Sequence, residues 1–246
     1  MMRVWGVTDV GLVRKENQDA YLVRECAATG HTICVVCDGM GGAEGGRLAS
    51  QIATETFTSE LEKVLAPDMT QEQLMAASSY AVALANQAIQ AAAAQNELYR
   101  NMGTTLVAAV SYEQGVVVTN VGDSRAYHIT ENGITRVTKD HSLVERMVDM
   151  GDITEEEARR HPNRNLITRA LGPDADAQCD GYICPVKAGE YLLLCTDGLV
   201  GTVTDQEMLF EVIHGSDPES CLERLLEIAK AQGAPDNVTA VLMRKL

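Results

Sequence analysis

The chain has 246 residues, 46% hydrophobic but only 4% aromatic, so one sizeable core built from Val, Leu, Ile and Ala is expected. A formal net charge of −15 excludes a basic surface for nucleic acid or for anionic membranes, because both require clustered Lys and Arg. Seven cysteines in no disulfide-like spacing, an amino terminus without a signal-type apolar region and the lack of any membrane-length apolar window lead to the expectation of a soluble, cytoplasmic monomer.

In chain order, residues 4–10 and 20–24 predict short strands around a loop, and the apolar run of residues 32–37 predicts a third, buried on both faces. Residues 44–65 carry apolar positions at helical spacing. Residues 70–98 predict a stronger helix, with Thr70 and Gln73 in capping-box spacing ahead of an alanine-rich stretch. The period then shortens: residues 104–112, 115–121, 125–130 and 134–138 read as consecutive strands. Residues 142–150 and 154–160 predict short helices, and the His161-Pro162 pair forces a surface loop after them. Strands at 182–186 and 191–196, helices at 205–213 and 218–232, and a strand at 237–244 complete the chain. Hairpins interrupted by helix pairs argue for an α+β fold with sheets sandwiched between helices, in a single domain over residues 1–246 with no linker.

Three apolar runs end abruptly on aspartate: at Asp38-Gly39, at Asp123 and at Asp197-Gly198; a fourth, Asp236, precedes one. Each alone is explained by turn chemistry. Turns accept Asn as readily as Asp, however, and all four positions are charged. Strand ends lying side by side would gather these carboxylates, which repel one another unless protons or hard cations such as Mg²⁺ or Mn²⁺ neutralise them. The Cys34/Cys37 pair has C-x-x-C spacing, but strand positions three apart face opposite ways, so it reads as core and not as a zinc site.

The chain resembles the metal-dependent serine/threonine protein phosphatases of the PPM, or type 2C, family, and its bacterial members in particular. The resemblance rests on Arg14 through Asp19, Asp38-Gly39-Met40-Gly41-Gly42, Gly103-Thr104-Thr105, Gly122 through Arg125, Lys139 through Leu143, His161-Pro162 with Arg169 through Gly172, Thr196 through Leu199, and Asp236 through Thr239, in that order. It implies a four-layer α-β-β-α sandwich of two antiparallel sheets flanked by helices, with a small flap subdomain near residues 142–170. It further implies that Asp38 bridges two Mn²⁺ or Mg²⁺ ions, with the Gly39 carbonyl on the second. Asp197 and Asp236 would complete the first ion's shell, Asp19 would lie near the second, and Asp123 would help hold a weaker third. Arg14 would grip the substrate phosphate, since a guanidinium fork matches two phosphate oxygens. The implied reaction is hydrolysis of phosphoserine and phosphothreonine by a metal-activated water, on phosphorylated proteins that include a Ser/Thr kinase and its substrates.

Two positions depart from the family pattern. Gln18 stands where many relatives carry Glu, and Met40 where animal relatives carry a His proposed as the acid. The acid is then either His161, on its loop, or metal-bound water; His141 falls in a block that reads as structural. The other reading is a catalytically inactive regulator of the same fold that binds phosphoprotein or metal, against which stand the retained aspartates.

Overall fold

The computed structural model describes residues 1–215 and 217–246. Eleven strands form among them: β1 (Met2–Asp9), β2 (Asp19–Cys26), β3 (His31–Met40), β4 (Gly103–Thr104), β5 (Leu106–Tyr112), β6 (Gly115–Val121), β7 (Arg125–Thr130), β8 (Gly133–Arg136), β9 (Asp180–Pro185), β10 (Tyr191–Cys195) and β11 (Val238–Lys245). One sheet has the order β1-β11-β10-β7-β8; the other has β2-β3-β5-β6-β9, with β4 on the end of β3. Every strand pair is antiparallel.

Three apolar layers hold the sandwich together. Between the sheets lie Cys34, Val36, Val107, Val118, Leu194 and Val241 with their neighbours. The outer face of the second sheet packs on α1 (Ala43–Val64) and α2 (Gln71–Ala93) through Ile33, Val35, Phe57, Leu74 and Ile89. The outer face of the first packs on α6 (Asp205–His214) and α7 (Pro218–Ala231) through Leu193, Leu242, Met208 and Leu225. The architecture is the expected α-β-β-α sandwich. Cys34 belongs to the inter-sheet layer and Cys37 to the helix-facing one, the two-faced placement that strand alternation demands.

Local chemistry explains where elements begin. Thr70 closes the expected capping box with Gln73, and Thr154 and Thr204 close two more with Glu157 and Glu207. The helices α3 (Leu143–Met150) and α4 (Glu155–Arg160) contain no buried residue. They form an excursion whose two ends are joined by a bridge between Ser142 and Ile167.

Three local expectations are corrected. The strand expected at 104–112 is two elements: Thr105 N–H still donates to the Asp38 carbonyl at 2.9 Å, but the Asp38 N–H goes to Thr105 Oγ1 at 2.9 Å and not to the Thr105 carbonyl, which interrupts the ladder. The alanine-rich helix stops at Ala93, and Asn96 caps a separate 3₁₀ turn at Glu97–Tyr99. Finally, the strand expected over residues 32–37 continues to Met40, and the one expected to 196 is followed at once by a helix. Asp38-Gly39 lies inside β3, and Asp197-Gly198 opens a short helix, α5 (Asp197–Val200).

Candidate active site and metal centre

Antiparallel register puts Asp19, the first residue of β2, directly opposite Asp38 of β3, so both side chains leave the same face of the second sheet. Asp197 follows the end of β10 and Asp236 precedes β11, its neighbour in the first sheet. The edges of the two sheets thus bring these carboxylates to one end of the sandwich. Asp123, in the tight connection from β6 to β7, joins them. Asp38, Asp123, Asp197 and Asp236 line one cleft of about 520 Å³ together with Arg14 and Gly39. Asp19 lies behind that lining.

The cleft is strongly acidic. Burial raises the Asp19 carboxyl to about 7; hydrogen bonds from Thr239 and Thr196 oppose the rise, and the charges of Asp197 and Asp236 add to it. Asp38 and Asp123 are pushed well above the usual range, first by burial and then by neighbouring aspartates, and Asp197 rises for the same reasons. Arg14 supplies a cation at the mouth, its Nη2 donating to Asp236 Oδ2 at 2.7 Å. Burial and like charge both favour protonation, so keeping these groups ionised at neutral pH requires bound cations.

The donor set suits a hard divalent ion. It is all oxygen. Oδ1 of Asp19 and Oδ1 of Asp197 are buried with no hydrogen-bond partner in the protein, a costly arrangement unless another ligand takes them. At Gly39 a Cβ would stand 2.1 Å from the Gly46 carbonyl oxygen and 2.6 Å from that of Gln18, so only glycine brings the backbone this close to the first turn of α1. Among the described residues no three His, Cys, Asp or Glu side chains close into a ready-made ligand cluster. Spread carboxylates fit an ion that retains several waters.

Hydrogen bonds hold the aspartates in place. Asp38 N–H donates to Thr105 Oγ1 at 2.9 Å, and its carbonyl accepts from Thr104 Oγ1 at 2.8 Å. Thr105 Oγ1 and Ser124 Oγ share a 2.7 Å hydrogen bond that reaches the Asp123 turn. Thr196 Oγ1 donates to Asp19 Oδ2 at 2.9 Å, crossing from one sheet to the other. The loop bearing Arg14 is fixed by one buried side chain, Asn237. Its Oδ1 accepts from Gln18 N–H at 2.9 Å, and its Nδ2 donates to the carbonyls of Val10 at 2.9 Å and Glu16 at 3.0 Å.

The Lys139-to-Leu143 block supports the Asp123 turn. Arg125 forks onto Asp140 through Nε and Nη2, the latter 2.7 Å from Oδ2. The ring Nδ1 of His141 accepts the Gly122 N–H at 3.1 Å, and its Nε2 lies 3.3 Å from Asp180 Oδ2 and 3.2 Å from Arg169 Nη1. Burial holds the His141 pKa below its ordinary value, with Arg169 acting the same way and Asp180 against it.

Of the residues expected from sequence, Arg14, Asp38, Gly39, Asp123, Asp197 and Asp236 share the cleft, and Asp19 backs it. His161 does not reach it. It caps the end of α4, with Nδ1 accepting the Asn163 N–H at 3.1 Å, and among the described residues no histidine lines the cleft. His141 is likewise a structural tie and not a proton donor to the cleft. Sequence reading missed Asn165 and Ile167, which bring the excursion to the cleft wall, and the clamp formed by Asn237.

Comparison with known proteins identifies the family and the fold. The family described as protein phosphatase 2C matches residues 13–243. The serine/threonine phosphatase Stp of Listeria welshimeri is 33% identical over 97% of this chain and 94% of its own length. The crystal structure of serine/threonine phosphatase Stp1 from Staphylococcus aureus superposes with a TM-score of 0.94 at 35% identity, covering 100% of this chain and 96% of that one. The catalytic domain of the serine/threonine protein phosphatase PstP, solved with two manganese ions, gives a TM-score of 0.82 at 31% identity, with coverage of 99% and 97%.

Proposed function

The chain belongs to the protein phosphatase 2C family and is a serine/threonine protein phosphatase, and on that premise we propose which of its residues perform the hydrolysis. Asp38 would be shared between two divalent ions, which Asp197, Asp236 and the Gly39 carbonyl, backed by Asp19, would help to hold. Asp123 and Asp197 offer a third, weaker position. The observation that carries this assignment is the pair of buried, unpartnered carboxylate oxygens on Asp197, which lines the cleft just past the end of β10, and on Asp19, the first residue of β2, behind that lining. A pair of divalent ions bound there supplies an ionised water at neutral pH and stabilises charge on phosphorus. The PstP relative, solved with two manganese ions, supports that number of ions; Mg²⁺ would serve by the same chemistry.

Around that centre the chain itself does the positioning. Arg14, held in its loop by Asn237, faces the cleft with a fork of donors matched to two oxygens of a phosphate monoester. On substrate binding it exchanges the Asp236 carboxylate for the phosphate. Met40 lines the cleft and carries no proton, and among the described residues no histidine lines it. We assign protonation of the leaving serine or threonine oxygen to water in the cleft.

The substrates are phosphorylated proteins, and the partners include a Ser/Thr kinase whose products this enzyme reverses. No helix among the described residues is long and apolar enough to cross a membrane. All seven cysteines are free thiols, which supports a reducing, cytoplasmic setting. The test is hydrolysis of a phosphothreonine peptide with Mn²⁺, with EDTA, and by Asp38→Asn. Turnover that needs metal and falls by orders of magnitude in the variant supports the assignment; a fully active Asp38→Asn enzyme refutes it.

A further inference from the structure

Three large apolar side chains that neighbour cleft-lining residues in the chain are exposed. Leu12 is 60% exposed, Val13 67% and Leu166 50%. Among the described residues, none of the three belongs to any of the apolar clusters that build the fold. The backbones of Leu12 and Leu166, in contrast, are tied down. Leu12 N–H donates to the Ala234 carbonyl at 2.9 Å, and Gly11 N–H to Asp9 Oδ1 at 2.9 Å. Leu166 N–H donates to the Asn163 carbonyl at 3.1 Å, while the Leu166 carbonyl accepts from Leu143 N–H at 2.8 Å.

Their positions in the chain tie them to the site. Leu12 and Val13 immediately precede Arg14 and Lys15, which line the cleft, and Leu166 sits between Asn165 and Ile167, which line its other wall. Other exposed large apolar residues, such as Tyr80, Ile183 and Phe210, lie on α2, β9 and α6, away from these walls. Each wall therefore carries polar or cationic groups at the cleft, with an exposed apolar residue next to them in the chain. A phosphorylated residue in an extended peptide has the complementary order: a dianion at the centre and side chains alternating on either side of it.

We infer that Leu12, Val13 and Leu166 form an apolar rim that docks the side chains flanking the phosphorylated residue, so that the enzyme prefers phosphoserine and phosphothreonine set between apolar neighbours. The inference rests on the proposed phosphatase site and adds the class of sequence it takes. Rigid backbones make the rim a preformed surface, so contact with it costs little ordering.

The test compares two phosphothreonine peptides, one with Leu and Val beside the phosphoresidue and one with Ser and Asn there, alongside p-nitrophenyl phosphate, all with Mn²⁺. The parent enzyme should favour the apolar peptide by about tenfold in kcat/KM, mostly through KM, near the low end of what apolar contacts discriminate. Leu12→Ser/Val13→Ser and Leu166→Ser should shrink that preference to about twofold and leave p-nitrophenyl phosphate turnover intact, which also reports correct folding. Leu166→Ile should retain the preference. No preference in the parent, or an undiminished preference in both variants, overturns the rim while phosphatase activity persists. A change of sedimentation on Leu→Ser without a change in peptide preference also overturns it, by identifying the rim as a contact between copies. Loss of p-nitrophenyl phosphate hydrolysis in the parent would instead strike the phosphatase site itself.

Discussion

Asp19 and Asp38 face each other across the β2–β3 pair, two carboxylates directly opposed on one face of a sheet. Like charges at such positions destabilise a sheet, so the protein holds an arrangement that costs stability and is relieved by cation binding.

Asp38→Asn should therefore act in opposite directions on activity and on the metal-free fold. Phosphatase turnover should fall by at least about a thousandfold, since the variant loses the bridging carboxylate. In EDTA the same variant should melt a few degrees above the parent, because one member of a repelling pair is neutral. Calorimetry with and without Mn²⁺ checks both halves; a lower melting temperature in EDTA would contradict the electrostatic account.

The pH dependence of stability follows from the raised carboxyls. A carboxyl whose folded pKa lies above its unfolded value favours the fold while protonated, and that advantage disappears as pH rises through the folded pKa. For Asp19 the window runs from about 4 to about 7, and Asp38, Asp123 and Asp197 shift in the same direction. The metal-free protein should lose stability as pH rises across this window. Saturating Mn²⁺ should flatten the decline, because the cations replace the protons. His141 acts oppositely: its folded pKa is depressed, so its contribution is present above about 6.5 and falls away on acidification. Melting curves from pH 4 to 8 in EDTA and in Mn²⁺ separate the two.

Asn237→Ala removes three hydrogen bonds that pin both ends of the Arg14 loop. At about 1 kcal/mol net per bond the loss is about 2–3 kcal/mol. KM for p-nitrophenyl phosphate should rise about tenfold as Arg14 loses its fixed position. Asn237→Asp keeps the acceptor for Gln18 but turns a carboxylate oxygen onto two backbone carbonyls, so it should raise KM at least as much as the Ala variant. Equal KM values for all three proteins would show that the clamp does not position Arg14.

Arg14→Ala should weaken binding of inorganic phosphate as a product inhibitor by about tenfold or more, with Arg14→Lys recovering only part, because an ammonium lacks the bidentate fork. The readout is the inhibition constant for phosphate.

His161→Ala should leave kcat and the pH–rate profile unchanged on both a peptide and p-nitrophenyl phosphate, within about twofold, since the ring lies outside the cleft wall. A lost limb in the pH profile would reinstate His161 as the acid.

Much of this site was legible in the chain because of where the aspartates stand. Asp38, Asp123 and Asp197 each end a run of apolar residues, and a strand buried on both faces leaves such a run no other reading. Strand alternation likewise sorted Cys34 from Cys37. What one sequence does not carry is contact between distant residues. Asn237 and Val10 are separated by 227 positions, and their hydrogen bond leaves no periodicity to detect. The ladder breaks at Thr105 because its side chain takes the Asp38 N–H that its carbonyl would otherwise accept, a tertiary demand that overrides strand propensity. His161 misled because a loop beside Pro162 was expected to face the substrate, whereas its ring caps the local turn.

Since the carboxylates come from the strand ends of both sheets, a cation held between them would also clasp the two leaves of the sandwich at that end. The fully buried side chains between the leaves are Val, Ala, Leu, Cys and Met, without an aromatic ring. A chelator thus does more than silence the enzyme: it unfastens one end of a layered object whose other end stays shut. Amide hydrogen exchange should register this as faster opening at Asp38, Gly39 and Val238 than at Ser111 or Arg244, a gradient along the strands that Mn²⁺ erases.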